Sequence, residues 1–180
     1  MESRYIITDM GKLLVNLAAD MLMEELDVPE GQIGLGIPGE SEQLSLYIYM
    51  YDIRENVQAH TGHFKAVGCE RLKYPSRFYD LYYMLVPSAK GDPKYKMEEE
   101  FRFMDVLLRR FGDMEYLDEE MRTAVTLYSP DLEEKVKIWN ALNQSLKPAI
   151  YCKAGPMEVL SDKTKDVKRV TNVQMRYEEK

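Results

Sequence analysis

Cysteine is scarce: Cys69 and Cys152 are the only two in 180 residues. That is too few for a disulfide scaffold, so reduced thiols are expected. Positive charge is in deficit, with 24 Lys and Arg against 31 Asp and Glu, a formal net charge of −7. The chain thus lacks the positive field that draws a protein onto phosphate backbones, and nucleic acid is not an expected partner. No apolar run approaches the roughly 18 residues a membrane helix needs. The N-terminus also lacks a basic stretch leading into an apolar core and a small-residue cleavage site. A protein made and folded in the cytoplasm is expected, with no membrane contact. What is abundant is tyrosine, 13 residues against 5 Phe and 1 Trp. A ring with a polar tip suits surfaces that are half buried or become buried on association. A single domain of this length removes roughly 70% of its unfolded surface from water, so no metal or disulfide is required to hold it.

Periodicity supplies the elements. Met10, Leu13, Leu14, Leu17 and Met21 recur at three- and four-residue steps, predicting an amphipathic helix over Ile7–Leu26 with Thr8 or Asp9 as cap and Val28-Pro29 as its end. Five of the residues from 29 to 41 are Gly31, Gly34, Gly36, Pro38 and Gly39, and a loop is expected there. The period then becomes two. Leu44, Leu46, Ile48 and Met50 face one way and Ser45, Tyr47, Tyr49 and Tyr51 the other, giving a strand with an aliphatic and a tyrosine face. A long connection from Arg54 to Arg77 precedes a second strand, Phe78–Val86. Asp92-Pro93 opens a helix whose predicted apolar stripe is Met97, Phe101, Met104, Leu108 and Phe111, closed by Gly112. A brief strand at Val125–Tyr128 is followed by a helix started by Ser129-Pro130-Asp131, with Leu132, Val136, Trp139 and Leu142 on one face. Residues 148–153 read as a strand, Gly155-Pro156 as a turn, Ser161–Asp166 as a polar bridge and Val167–Tyr177 as a final strand. Consecutive strands without an intervening helix exclude a doubly wound parallel sheet. The expected class is α/β of the α+β type: a mixed or antiparallel sheet with helices packed on one face.

Candidate chemistry is thin. Gly34-Leu35-Gly36-Ile37-Pro38-Gly39 spells the dinucleotide-binding motif but follows a helix and precedes a strand, and Pro38 removes an amide donor. His60, His63 and Cys69 share the long connection, with Cys152 available in principle, and offer zinc-type ligands at an unrecognised spacing. A small metal-binding or thiol enzyme using that loop is the alternative class, with a monomeric peptide-binding adaptor a third. The expected reading has no catalytic, cofactor or metal residue. The acidic runs Glu98-Glu99-Glu100 and Asp118-Glu119-Glu120 fit solvated faces and helix starts. The tyrosine face is expected to be covered by a helix, the other option being a partner subunit.

The order of motifs resembles a known family. It comprises the amphipathic N-terminal helix, Tyr51-Asp52-Ile53-Arg54-Glu55-Asn56 at a strand exit, the strand Asp80-Leu81-Tyr82-Tyr83-Met84-Leu85, the helix with Leu132, Glu133 and Trp139-Asn140-Ala141-Leu142, and Lys147-Pro148-Ala149-Ile150-Tyr151. Together, over roughly residues 8–160, these resemble the cap or tail-terminator proteins of phage-tail-like contractile injection systems of the antifeeding-prophage type. The resemblance implies a tail-terminator-like domain over 1–160 and a C-terminal extension, 161–180, forming a strand of the same domain or of a neighbouring subunit. It implies a non-enzymatic structural cap, a ring that is usually six-fold, seated on the inner tube and sheath. Its partners would be further copies of itself, the tail tube protein and the sheath protein, in a particle assembled in the cytoplasm. Relatives often carry a further C-terminal domain, whose contacts are not implied for these residues. The expected contact regions are the 54–77 connection and the 161–180 tail. The candidate interface residues are Tyr47, Tyr49, Tyr51, Arg54, Glu55, Asn56, Arg169, Arg176 and Tyr177.

Overall fold

The computed structural model describes residues 5–60, 62–68, 70–114 and 123–167. Helix α1 spans Ile6–Leu26 and buries Met10, Leu14, Ala18, Met21 and Leu22. Neither Thr8 nor Asp9 caps it, because the helix already starts at Ile6, after Tyr5. Its end at Leu26 is the expected one. Asp27 takes a left-handed conformation (φ 54°), and the Val28 N–H reaches back to the Leu22 carbonyl.

The stretch expected as loop contains a turn of 3-10 helix, Glu30–Gln32, and a short strand β1, Ile33–Leu35. Three residues with a central glycine carry little strand propensity of their own. Parallel pairing to β2, Leu46–Glu55, holds them in place. The next strand is β5, Arg77–Pro87, antiparallel to β2 with a register shift between Met50 and Asp52. That bulge puts Tyr51 beside Asp52 and returns Ile53 to the aliphatic face, opposite Leu81. Strand β7, Ile150–Val159, lies between β5 and β6, Ala124–Leu127, and is antiparallel to both. The five-stranded order is β1-β2-β5-β7-β6. Gly155-Pro156 does not turn the chain: β7 runs through it.

Helix α2, Pro93–Asp113, begins with Asp92 accepting a hydrogen bond from the Lys94 amide at 2.9 Å and continues through Gly112 rather than stopping there. With α1 it covers the aliphatic face of the sheet, where Leu46, Ile48, Leu81, Tyr83, Leu85, Ile150 and Cys152 join the helical side chains in one core. Each such side chain contributes about 1.5–3 kcal/mol on burial. The stripe that docks is Phe103, Val106, Leu107 and Phe111. Of the predicted stripe only Phe111 is fully buried and Met104 partly so, while Met97, Phe101 and Leu108 stand exposed.

Helix α3, Leu132–Ala141, is capped by Asp131, which accepts from the Glu134 amide at 2.7 Å. It packs on the opposite, tyrosine face, so the helices lie on both faces rather than one. Trp139, with Ile138 and Leu142 beside it, gathers Tyr47, Met84, Val86 and Tyr151 into a second core. The Trp139 indole donates to the Tyr151 hydroxyl at 3.0 Å. Leu132 and Val136 are exposed, because only the C-terminal half of this ten-residue helix reaches the sheet.

The described residues of the long connection also form regular elements. It holds a 3-10 turn at Val57–Ala59 and a hairpin of β3, Lys65–Val67, and β4, Arg71–Lys73, whose turn begins at Gly68 with φ 71°. Strand β8, Thr164–Asp166, pairs antiparallel with β4 where a polar bridge was expected. The predicted strand beyond Val167 lies outside the described residues.

Candidate functional site

The candidate site has two parts, the strand exit Tyr51–Asn56 and the β3–β4–β8 sheet. Arg54 lies over the Tyr82 ring, 4.6 Å from its centroid. Its guanidinium donates to Asp52 at 2.6 Å and to Glu134 of α3 at 3.3 Å. The hydrogen bond to Asp52 raises its pKa above the ordinary arginine value, so the cation is permanent. Arg54 therefore ties the end of β2 to β5 and α3 through a stack and a fork of hydrogen bonds.

Asn56 turns inward. Its side-chain amide donates to both Asp80 oxygens at 3.2 and 3.1 Å, and its own side-chain oxygen accepts from the Ala59 amide at 3.1 Å. Asp80 is 8% exposed and also faces Lys153 at 3.6 Å. The buried carboxylate thus pins the start of the connection to the middle of the sheet. Glu55 faces His60 at 3.3 Å and Arg77 at 3.9 Å.

Farther out, Lys65 reaches Glu158 of β7 at 2.9 Å. Hydrogen bonds from Ser76 and Lys65 hold the Glu158 carboxyl below the usual carboxylate range. The three short strands carry Lys65, Arg71, Lys73, Lys163 and Lys165 in or beside them, against Glu70, Asp162 and Asp166. Phe64 and Tyr74 pack ring to ring at 5.1 Å on this lobe. The two expected contact regions, 54–77 and the beginning of 161–180, are therefore joined into one small sheet.

The individual candidates separate. Tyr47 is 2% exposed and donates its hydroxyl to the Ser41 carbonyl, so it belongs to the core under α3. Tyr49 and Tyr51 are half buried at the rim of the same cluster, Tyr51 edge-on to Tyr151 at 6.1 Å. Arg54 and Glu55 are exposed. Arg169, Arg176 and Tyr177 lie outside the described residues, as does Cys69. His60 meets Phe78 edge-on at 6.3 Å, and His63 is exposed. Among the described residues no three His, Cys, Asp or Glu side chains come together to hold a metal ion. Cys152 lies in the core, where burial pushes its thiol up to about 12. Among the described residues no helix is long and apolar enough to cross a membrane.

Two features escaped the sequence reading. The lobe was hidden because three-residue strands have no measurable alternation; the one available signal was Gly68 between Lys65-Ala66-Val67 and Arg71-Leu72-Lys73. The partners of Arg54 and Asn56 sit in β5, β7 and α3, and no local pattern announces them.

The family model described as the Pvc16 N-terminal domain matches residues 14–172. The chain belongs to the Pvc16 N-terminal domain family. That match spans the core, the strand exit and the lobe together. No curated protein matches the chain in sequence. Among the solved structures that resemble it in fold are two terminators. One is the sheath/tube terminator of a PVC extracellular contractile injection system in its extended state, with TM-score 0.65 and 16% identity, covering 100% of this chain and 65% of that one. The other is the tube-terminating cap of the anti-feeding prophage, with TM-score 0.60 and 21% identity, covering 91% of this chain and 60% of that one. This Pvc16 N-terminal domain therefore spans about two thirds or less of either solved chain, and at these identities the likeness is one of fold.

Proposed function

We propose that this chain is a structural cap: a terminator that seats on the end of the inner tube and sheath of a contractile injection system, stops further polymerisation and stabilises the particle. The observation that carries the proposal is the Pvc16 N-terminal match together with a fold likeness to two terminators over 100% and 91% of the chain. The working unit is a ring of copies, six in number, assembled in the cytoplasm on tube and sheath proteins. A tube grows because each ring regenerates the surface that recruits the next. A terminator must match that surface on one side and fail to reproduce it on the other. Head-to-tail closure consumes the lateral surfaces and leaves two unlike faces. A stable lateral junction needs roughly 800 Å² from each partner. Two kinds of surface can supply it: the exposed lobe built from 54–77 and 164–166, and the rim residues Tyr49, Tyr51, Arg54 and Glu55. The role calls on no catalytic side chain. The thiol-enzyme reading gains nothing from a core Cys152 or from a His60 committed to Glu55 and Phe78.

Deleting the gene in a producing strain and imaging the particles by electron microscopy tests the proposal. Tubes of uncontrolled length, or particles that fall apart, are expected. Particles of normal length and stability without the protein would overturn it.

A further inference from the structure

Strands β4 and β8 of the lobe continue β5 and β7 of the main sheet. β4 leads into β5 through residues 74–76, β7 leads into β8 through residues 160–163, and both pairs are antiparallel. The last rung on the main sheet is Arg77 opposite Val159. The first on the lobe is the Tyr74 amide donating to the Lys163 carbonyl at 3.0 Å. Between these rungs both strands break at the same level. Pro75 has no amide hydrogen to give, and Pro75 and Ser76 stand against Leu160, Ser161 and Asp162, an unequal count that interrupts the ladder as a bulge does.

Beyond the break the lobe holds itself together. Two ladders join its strands, the Val167 amide donates to the Glu70 carbonyl at 2.9 Å, and Arg71 faces Asp166 at 3.4 Å. Ala66 and Leu72 lie opposite each other, and the Phe64–Tyr74 ring pair closes the end of the sheet. Among the described residues neither hydrophobic core contains any of 62–74 or 160–167. The lobe therefore lacks the shared apolar packing that makes two parts of a fold move as one. Its third chain link leaves Asn56, which Asp80 pins to the sheet, and reaches β3 past Gly62 at φ 65°. One polar tie crosses the break. Lys65 of β3 donates to the Glu158 carboxylate at 2.9 Å, and the hydroxyl of Ser76 donates to the same group.

We infer that the lobe is a hinged arm, which swings as a unit about residues 74–76 and 160–163 and is latched by Glu158 through Lys65 and Ser76. Two breaks side by side define the axis, and the longer third link does not oppose rotation about it. Lys65 and Glu158 are both partly solvated, so the latch is weak and opens reversibly. The ladders inside the lobe do not cross the axis and survive the swing. Nothing in this inference uses the ring, so the hinge stands or falls apart from the cap reading. In a cap, the arm gives each copy angular freedom outside the main sheet while the sheet itself stays fixed.

The test places nitroxide labels on the full chain at Lys12→Cys in α1 and Lys165→Cys in β8, both exposed positions, in a Cys69→Ser background. Cys152 is buried in the core and takes no label. Double electron–electron resonance then reads the separation of arm and body. The parent should show one dominant distance and a minor second population. Glu158→Ala, which removes both ties, should raise the second population about fivefold, the reach of a partly solvated ion pair. Lys65→Met, which keeps the stem and spares Ser76, should raise it less. Hydrogen exchange on the same chains should find the β4 amides still protected, since β4 is bonded on both sides within the lobe. Identical distance distributions in the parent and Glu158→Ala would refute the latch and the hinge together. If the β4 amides of Glu158→Ala exchange at unprotected rates, the lobe melts rather than swings, and the hinge is overturned.

Discussion

Replacing Gly155 by Ala gives a sharp measure of how the connection is anchored. Strand β7 passes Asp80 at the register shift between Tyr79 and Leu81. A Cβ on residue 155 would stand 2.3 Å from Asp80 Oδ1 and 3.1 Å from Asp80 Cα. A carboxylate alone could swing aside, but this one is held by Asn56 at 3.1 and 3.2 Å and faced by Lys153 at 3.6 Å. The Cα moves only if β5 moves. Overpacking of this kind costs about 1–3 kcal/mol, and losing a hydrogen bond to a charged group costs about 1.5–3 kcal/mol. Because the two losses share one cause, a total of about 2–4 kcal/mol is expected, read as a fall of about 1–2 M in the urea midpoint. Hydrogen exchange should show the Ala59 amide opening first, since it depends on Asn56. In an Asp80→Ala background the cost of Gly155→Ala should drop by half or more, because the closest clash is gone. A loss under about 0.5 kcal/mol in the parent background, typical of an indifferent surface site, would refute the reasoning.

Three further outcomes follow from the same coordinates. Trp139→Ala should destabilise the protein by about 3–5 kcal/mol; Trp139→Phe, which leaves the Tyr151 hydroxyl without its indole donor, should cost about 1–3 kcal/mol. A calorimetric melting point unchanged in Trp139→Ala would contradict the second core. The depressed Glu158 carboxyl contributes stability that is present above its unfolded pKa of about 4.3 and is lost as pH falls through the lower folded value. Amides of β3 and β4 should therefore lose protection, measured against their intrinsic exchange rates, in acid, and Glu158→Gln should mimic this at pH 7, by under about 1 kcal/mol because the pair is partly solvated; no change in the protection of those amides would count against the anchor. With its thiol near 12, Cys152 in a Cys69→Ser background should resist thiol reagents at pH 8 until urea unfolds the chain. Rapid labelling of the folded protein would show that the core opens there.

How much was legible depended on whether the governing pattern was local. The two faces of β2 were readable because aliphatic and tyrosine positions alternate from Leu46 to Met50, and the structure sends Leu46 and Ile48 to one core and Tyr47 to the other; Leu44, expected beside Leu46, precedes the strand and packs with the Tyr47 cluster instead. The α2 stripe was misread because the helix carries apolar residues over a wide arc; spacing alone picks Met97, Phe101 and Leu108 as readily as Phe103 and Leu107, and only the position of α1 and β6 decides between them. Gly155-Pro156 looked like a turn because that dipeptide punctuates chains locally, whereas here β5 and Asp80 hold it within a strand. The strand-exit motif was visible as a string of letters, but its meaning lay in Asp80, Tyr82 and Glu134, residues from other elements.

The placement of β7 bears on when the molecule becomes itself. Residues 150–159 occupy the slot between two strands formed by 77–87 and 124–127, so the sheet stays split until that late segment arrives. Until then β5 and β6 expose bare backbone, and β8 closes the lobe later still. Long loops must close before these contacts repay their entropy, which makes folding slow and the unfinished chain prone to wrong partners. Crowding among half-made copies during synthesis becomes the step most sensitive to expression level and temperature.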